Sequence, residues 1–195
     1  MRRKTFDALL TTGGGIVAAL LLVAGGLLMW AHSFVSSQVT EQLSAQKIFF
    51  PSAGSDALAP KEIGPFLNQY AGQQLTNGTQ AKAYADHFIA VHVKEMTGGL
   101  TYAQLSAKSL ANPGDQKLAG LVQTVFRGET LRGLLLNAYA FWQMGTIALY
   151  GAIASFIGAA LMLILCLLGL LHLRRVPAEE EVKIGVRPHH HPATA

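Results

Sequence analysis

Two histidines and two carboxylates, Asp86, His87, His92 and Glu95, stand close together in the middle of this chain. Two His and a carboxylate can hold zinc or non-haem iron, provided that their side chains converge on one ion. Convergence depends on the element that carries them. Residues from about Thr79 to Met96 read as a helix, because Tyr84, Phe88, His92 and Met96 share one stripe, joined by Ala81, Ala85 and Ile89, and Gly98-Gly99 supplies a stop. At about 100° per residue, His87 and His92 point about 140° apart, whereas His92 and Glu95 are about 60° apart. One straight helix cannot bring them all to a single ion. The pattern instead assigns His92 to a hydrogen-bonded core position and Asp86 to a solvated i,i+4 pair with Lys82. No metal-ligating, catalytic or cofactor-binding residue is expected.

A second polar cluster, Arg127, Glu129 and Arg132, with Thr130 as a helix cap, lies where a long apolar stretch begins. It reads as an ion-pair group that sets a helix angle, or as a docking contact for a partner. The chain lacks a glycine-rich phosphate loop ending in Gly-Lys-Ser/Thr, a His-Glu-x-x-His, a Cys-x-x-Cys and a Gly-x-Ser-x-Gly elbow. Gly13-Gly14-Gly15 opens an apolar run and follows no strand, so it is not read as a nucleotide site. His189, His190 and His191 could bind a transition metal weakly, but they sit in a polar tail without apolar period that is expected to be disordered.

The elements around these residues are dominated by two apolar runs, Gly13 to Val35 and about Phe141 to Leu173, neither with Asp, Glu, Lys or Arg. About 20 apolar residues at 1.5 Å each cross the hydrocarbon core of a bilayer as a helix, so each run is long enough to span. Only 13% of the 195 residues are charged, about half the usual share, and the deficit lies in these runs. Ion pathways and proton relays usually need ionisable groups inside the membrane, which argues against transport.

The net charge of +4 reports topology and not a nucleic-acid surface. Arg2, Arg3 and Lys4 precede the first run and Arg174 and Arg175 follow the second, while the middle is nearly balanced. Basic residues are retained on the cytoplasmic side, so both termini are expected there and the middle segment outside. Trp30 and Trp142, at the facing ends of the two runs, are expected in the headgroup layer of the outer leaflet, with Phe34, Tyr139 and Phe141 beside them. Cys166, the only cysteine, excludes an intramolecular disulfide, and an outward domain without disulfides fits a bacterial plasma membrane. The N-terminus has the layout of a secretory signal, with Ala31-His32-Ser33 as a cleavage-like site, yet its apolar stretch is longer than a signal core and is read as a retained anchor. Asn77-Gly78-Thr79 matches the glycosylation pattern, a triplet that is common by chance.

The fold class expected is all-α: a transmembrane helical hairpin with a small helical extracytoplasmic domain between the spans. Residues 1–12 form a cytoplasmic stub, 13–35 the first span, 36–140 the outer domain, 141–173 the second span with its outer stalk, and 174–195 a cytoplasmic tail. Val35, Val39 and Leu43 extend the first helix to about Phe50, and a loop follows from Pro51 to Pro60. Short helices are expected at Lys61 to Tyr70 and, capped by Thr101, at Tyr102 to Ala111. After the turn at Asn112 to Asp115, a helix through Phe126 is expected to be interrupted at Arg127-Gly128. No run alternates long enough for a sheet. Gly151, Ser155 and Ala159, like Gly14-Ala18 and Gly15-Ala19, put small residues on one face, which packs the hairpin or serves a homodimer or another membrane subunit.

Three stretches, Pro65–Leu75, Ala81–Ile89 and Phe126–Tyr139, resemble a family of small bacterial two-span membrane proteins, some of which are called a small subunit of an aromatic-ring-opening dioxygenase. That resemblance implies a helical subunit closing over a larger one that bears the iron ligands, so that this chain alone would not be catalytic. Small subunits of that enzyme class are soluble, whereas this chain carries two spans. The residues themselves point to a non-enzymatic accessory or interaction module held in the lipid bilayer. An enzyme subunit and a ligand-sensing membrane protein are the alternatives.

Overall fold

The computed structural model describes residues 3–175. The expectations for the tail beyond Arg175, its disorder and its run of His, lie outside the described residues.

Most of the described residues are helical, and two helices dominate: α1, Arg3–Ala45, and α6, Gln116–Leu173. Both are free of proline, rich in Ala and Leu, and long and apolar enough to cross a membrane. α1 passes Val35 as expected but stops at Ala45 and not at Phe50, because Lys47 takes a left-handed conformation with φ 51°. α6 starts at a cap, the Leu118 N–H donating to Asp115 Oδ1 at 2.9 Å.

The expected interruption at Arg127-Gly128 does not occur, and α6 runs straight through it. Gly128 serves close approach instead: a Cβ there would come within 2.9 Å of Val93 Cγ2. Thr130 is therefore no cap but a helix-interior residue, its hydroxyl donating to the Phe126 carbonyl at 2.7 Å.

Between the long helices lie short ones: α2, Gly64–Leu67; α3, Gly78–Tyr84; α4, Ala90–Thr97; and α5, Tyr102–Ala111. The helix expected over Lys61 to Tyr70 is reduced to α2 and a 3-10 turn at Asn68–Tyr70. Gly64 presses on the Leu58 carbonyl where any Cβ would overlap it, so the chain enters α2 from a tight turn. Thr101 caps α5 as expected, and Gln104 completes a capping box with it. Among the described residues the only β pairing is an isolated bridge between Phe49 and Gln74.

α3 and α4 form one rod joined by a π-turn, Ala85–Ile89, in place of the uniform α-helix expected over Thr79 to Met96. Ala81, Ala85, Ile89, Val93 and Thr97 make its buried line. Met96, assigned to the apolar stripe, is 45% exposed.

The chain divides into two compact units. The first comprises residues up to Leu27 and from Gly151 onward. In it Thr11, Gly14, Ala18, Leu21 and Gly25 recur at alternating spacings of three and four, the period of a coiled-coil seam. Small residues receive large ones across this seam. A Cβ on Gly25 would lie 2.8 Å from the Phe156 ring, one on Gly14 2.9 Å from Cys166 Sγ, and one on Gly158 3.3 Å from Leu21 Cδ1. Ala18, Ala152 and Ala159 are fully buried. Of the face formed by Gly151, Ser155 and Ala159, Ala159 is thus used up within the chain, whereas Gly151 and Ser155 are only half-buried. Away from the seam the apolar side chains point outward, Leu20, Val23, Leu161 and Leu165 among them.

The second unit, Leu28 to Tyr150, has a core of its own. Ile63, Leu67, Leu75 and Val125 are its largest fully buried side chains. Phe50 meets Tyr84 edge-on at 5.4 Å and Tyr70 at 5.1 Å, and Phe88 continues the aromatic chain at 4.8 Å from Tyr84. Trp30 is exposed and stacks on Phe34 at 5.6 Å. Trp142, expected beside it in one belt, is half-buried and packs against Gly78.

Candidate functional site

The rod from Gly78 to Thr97 positions the cluster that the sequence singled out. Its N-terminus is set by Asn77, whose Oδ1 accepts from the Gln80 N–H at 2.9 Å, while Gln80 Oε1 accepts from the Thr76 N–H at 2.8 Å. Two otherwise orphaned donors are satisfied, which is why Gln80 can be buried.

Along this rod the four residues go separate ways. The His87 ring lies flat on Phe66 of α2, 3.6 Å between centroids and 6° between planes. His92 turns back on its own helix, its Nδ1 2.7 Å from the Phe88 carbonyl, so that nitrogen carries the hydrogen. Asp86 points toward α6, bonded to Lys82 and 3.7 Å from Arg132. Glu95 is exposed. Among the described residues no three His, Cys, Asp or Glu gather in a way that could hold a metal ion.

The Asp86 arrangement joins the two clusters that looked separate in the sequence. Arg132 bridges Asp86 and Glu129, the latter at 3.2 Å, and the Lys82 ammonium lies 5.4 Å from the centre of the Tyr139 ring. The hydrogen bond from Lys82 to Asp86 raises the lysine's pKa above its ordinary value, against a smaller opposing effect of burial. Burial alone pushes the Tyr84 phenol up. This constellation is suited to clamping the rod onto α6. Arg127 is exposed and is not among the residues paired here.

Sequence reasoning missed a groove of about 560 Å³ in the second unit, between Phe34–Ile48 and the Leu131–Phe141 segment of α6. Among its lining residues Val39 and Leu135 are buried and Val35 and Ala138 half-buried, whereas Gln38, Gln42 and Gln46 are exposed. The signal was present as amides at i, i+4 and i+8 beside an apolar stripe, yet only the packing of α6 turns a helix face into a concavity. Further down the same pair of helices, His32 Nδ1 donates to the Gly145 carbonyl at 2.9 Å.

In the first unit, polar contacts collect near Thr11. Cys166 Sγ donates to its carbonyl at 3.4 Å, and the His172 ring nitrogen lies 3.8 Å from an Asp7 carboxylate oxygen.

Comparison of the chain with protein-family models, with curated proteins and with solved structures finds no match.

Proposed function

We propose that this chain is an integral protein of a bacterial plasma membrane, with both termini cytoplasmic and residues 36–140 outside, and that its helical head is a non-enzymatic accessory or interaction module. The observation that carries the membrane reading is the inside-out build of the first unit. Its seam is lined with Gly and Ala, while its Leu, Ile and Val side chains face outward. Soluble monomers rarely expose contiguous apolar patches beyond a few hundred Å², since each Å² costs about 25 cal/mol in water. In lipid the same surface costs nothing, and small residues at the seam let the helices approach. The basic residues at Arg2, Arg3, Lys4, Arg174 and Arg175 support the orientation.

The accessory reading is supported by how the head spends its titratable groups. His87 stacks, His92 bonds its own helix, and Asp86, Glu129, Lys82 and Arg132 pair with one another. None of these is aimed into the groove.

Single cysteines in a Cys166→Ser background test the topology. Lys108→Cys should react with a membrane-impermeant maleimide on intact cells, and Lys4→Cys only after lysis. Labelling of Lys4→Cys from outside, a protected Lys108→Cys, or release of the chain by alkaline carbonate would overturn the reading. Purification in mild detergent then tests the accessory role, for which a second chain should co-purify in fixed ratio.

A further inference from the structure

We propose that the groove between Phe34–Ile48 and Leu131–Phe141 holds one hydrocarbon chain of a membrane glycerolipid, whose ester oxygens accept hydrogen bonds from the Gln38 and Gln42 amides. This rests on the membrane reading above. Three observations select that occupant.

The first is size and character. A concavity of about 560 Å³, mostly apolar and with a few polar groups at its edge, has the form of a small-molecule site. The second is charge. No Lys, Arg, Asp, Glu or His lines it, and its polar lining residues all carry side-chain amides: Gln38, Gln42, Gln46 and Asn137. Amides donate to and accept from neutral oxygens, so they suit an ester and offer a phosphate no counter-charge. The third is continuity. Phe34 and Phe141 belong to the groove and are exposed, and the surface next to them within the same unit is apolar and exposed through Trp30, Met144, Ile147 and Tyr150. Trp and Tyr gather at the headgroup level of a bilayer. A chain can thus leave the lipid at that level and enter the groove without crossing a charged rim.

The occupant also answers a cost. Leu134 is 60% exposed on the segment that the topology puts outside the membrane, and a lipid chain covers it.

The full chain, reconstituted in phosphatidylcholine vesicles doped with a phosphatidylcholine whose acyl chain carries a diazirine, tests this by irradiation and peptide mapping. Label is expected on Phe34–Gln46 and on Leu131–Phe141, besides the apolar segment Ile16–Leu27, and not on α5. Leu134→Arg puts a charge in the groove at an exposed position and should lower groove labelling about tenfold while leaving Ile16–Leu27 unchanged. Phe141→Arg does the same from the other exposed position should Leu134→Arg fail to fold. Replacing the host lipid by phosphatidylglycerol should not raise groove labelling. Groove labelling no higher than that of α5, indifference to both substitutions, or a copy-to-copy cross-link through the groove in place of lipid label would overturn the proposal. Loss of label from Ile16–Leu27 in the unsubstituted chain would instead overturn the membrane reading itself.

Discussion

Gly78, the first residue of α3, abuts Trp142 of α6 so closely that a Cβ at position 78 would overlap the Cβ and Cγ of the tryptophan. The rod that carries Asp86 and His87 is thereby seated on α6 at its very start, and Trp142 is consumed by that seat. The two residues form a socket that tolerates no side chain.

Gly78→Ala should therefore destabilise the head, although alanine is the better helix former by up to about 1 kcal/mol. Overpacking of this kind costs about 1–3 kcal/mol and outweighs that gain. The expected result is a lower midpoint of thermal unfolding followed by tryptophan fluorescence in detergent. An unchanged or raised midpoint would show that the socket yields.

The glycines of the first unit offer an internal contrast. Gly25 faces the Phe156 ring and Gly14 faces Cys166, whereas a Cβ on Gly13 or Gly26 would meet nothing within 4 Å. Gly25→Val and Gly14→Val should open the seam and lower thermal stability in micelles, while Gly13→Val and Gly26→Val should leave it nearly unchanged. Equal effects from both pairs would disprove the seam.

His32 carries a hydrogen bond between α1 and α6 that neither helix can make alone. Because the Gly145 carbonyl only accepts, His32 must hold its hydrogen on Nδ1. Nitrogen chemical shifts of labelled imidazole should show that tautomer. Substitution by Leu keeps an apolar side chain, removes the bond, and should cost about 1 kcal/mol.

Alkali should loosen the head through Lys82 and Tyr84. Lys82 has its pKa raised by the bond to Asp86, and Tyr84 has its phenol raised by burial. For both, the unfolded chain releases its proton first, so stability falls as pH rises. The Lys82 contribution is complete below pH 10.5 and the Tyr84 contribution below pH 10.0, and each fades as pH climbs through the higher folded value. Lys82 is about half exposed, which keeps its share at the low end of roughly 0.2–1 kcal/mol. Tyr84→Phe should reduce the alkaline slope in denaturant titrations above pH 10.0. A slope unchanged in that variant would assign it elsewhere.

Much of this architecture was legible along the chain because it depends on local pattern. Two uncharged apolar runs read as long helices, Thr101 stands where α5 needs its cap, and the lack of alternation left no sheet to build. The cap at Asn77, by contrast, needed Gln80 to be buried before its role was visible. The glycine at 128 reads as a break in isolation, and only the presence of Val93 shows that it is a contact point. Arg132 pairs with Asp86 across 46 positions of sequence, a separation that no periodicity encodes.

What the residues determined unaided, then, was the set of elements: backbone hydrogen bonding and side-chain period are properties of neighbours along the chain. Which of those elements touch was decided by packing. The Trp142 socket and the groove beside Gln38 exist because α6 lies against the rod and against α1. Those choices arise from contacts between residues far apart in sequence, where volume and hydrogen-bond geometry, not propensity, select the outcome.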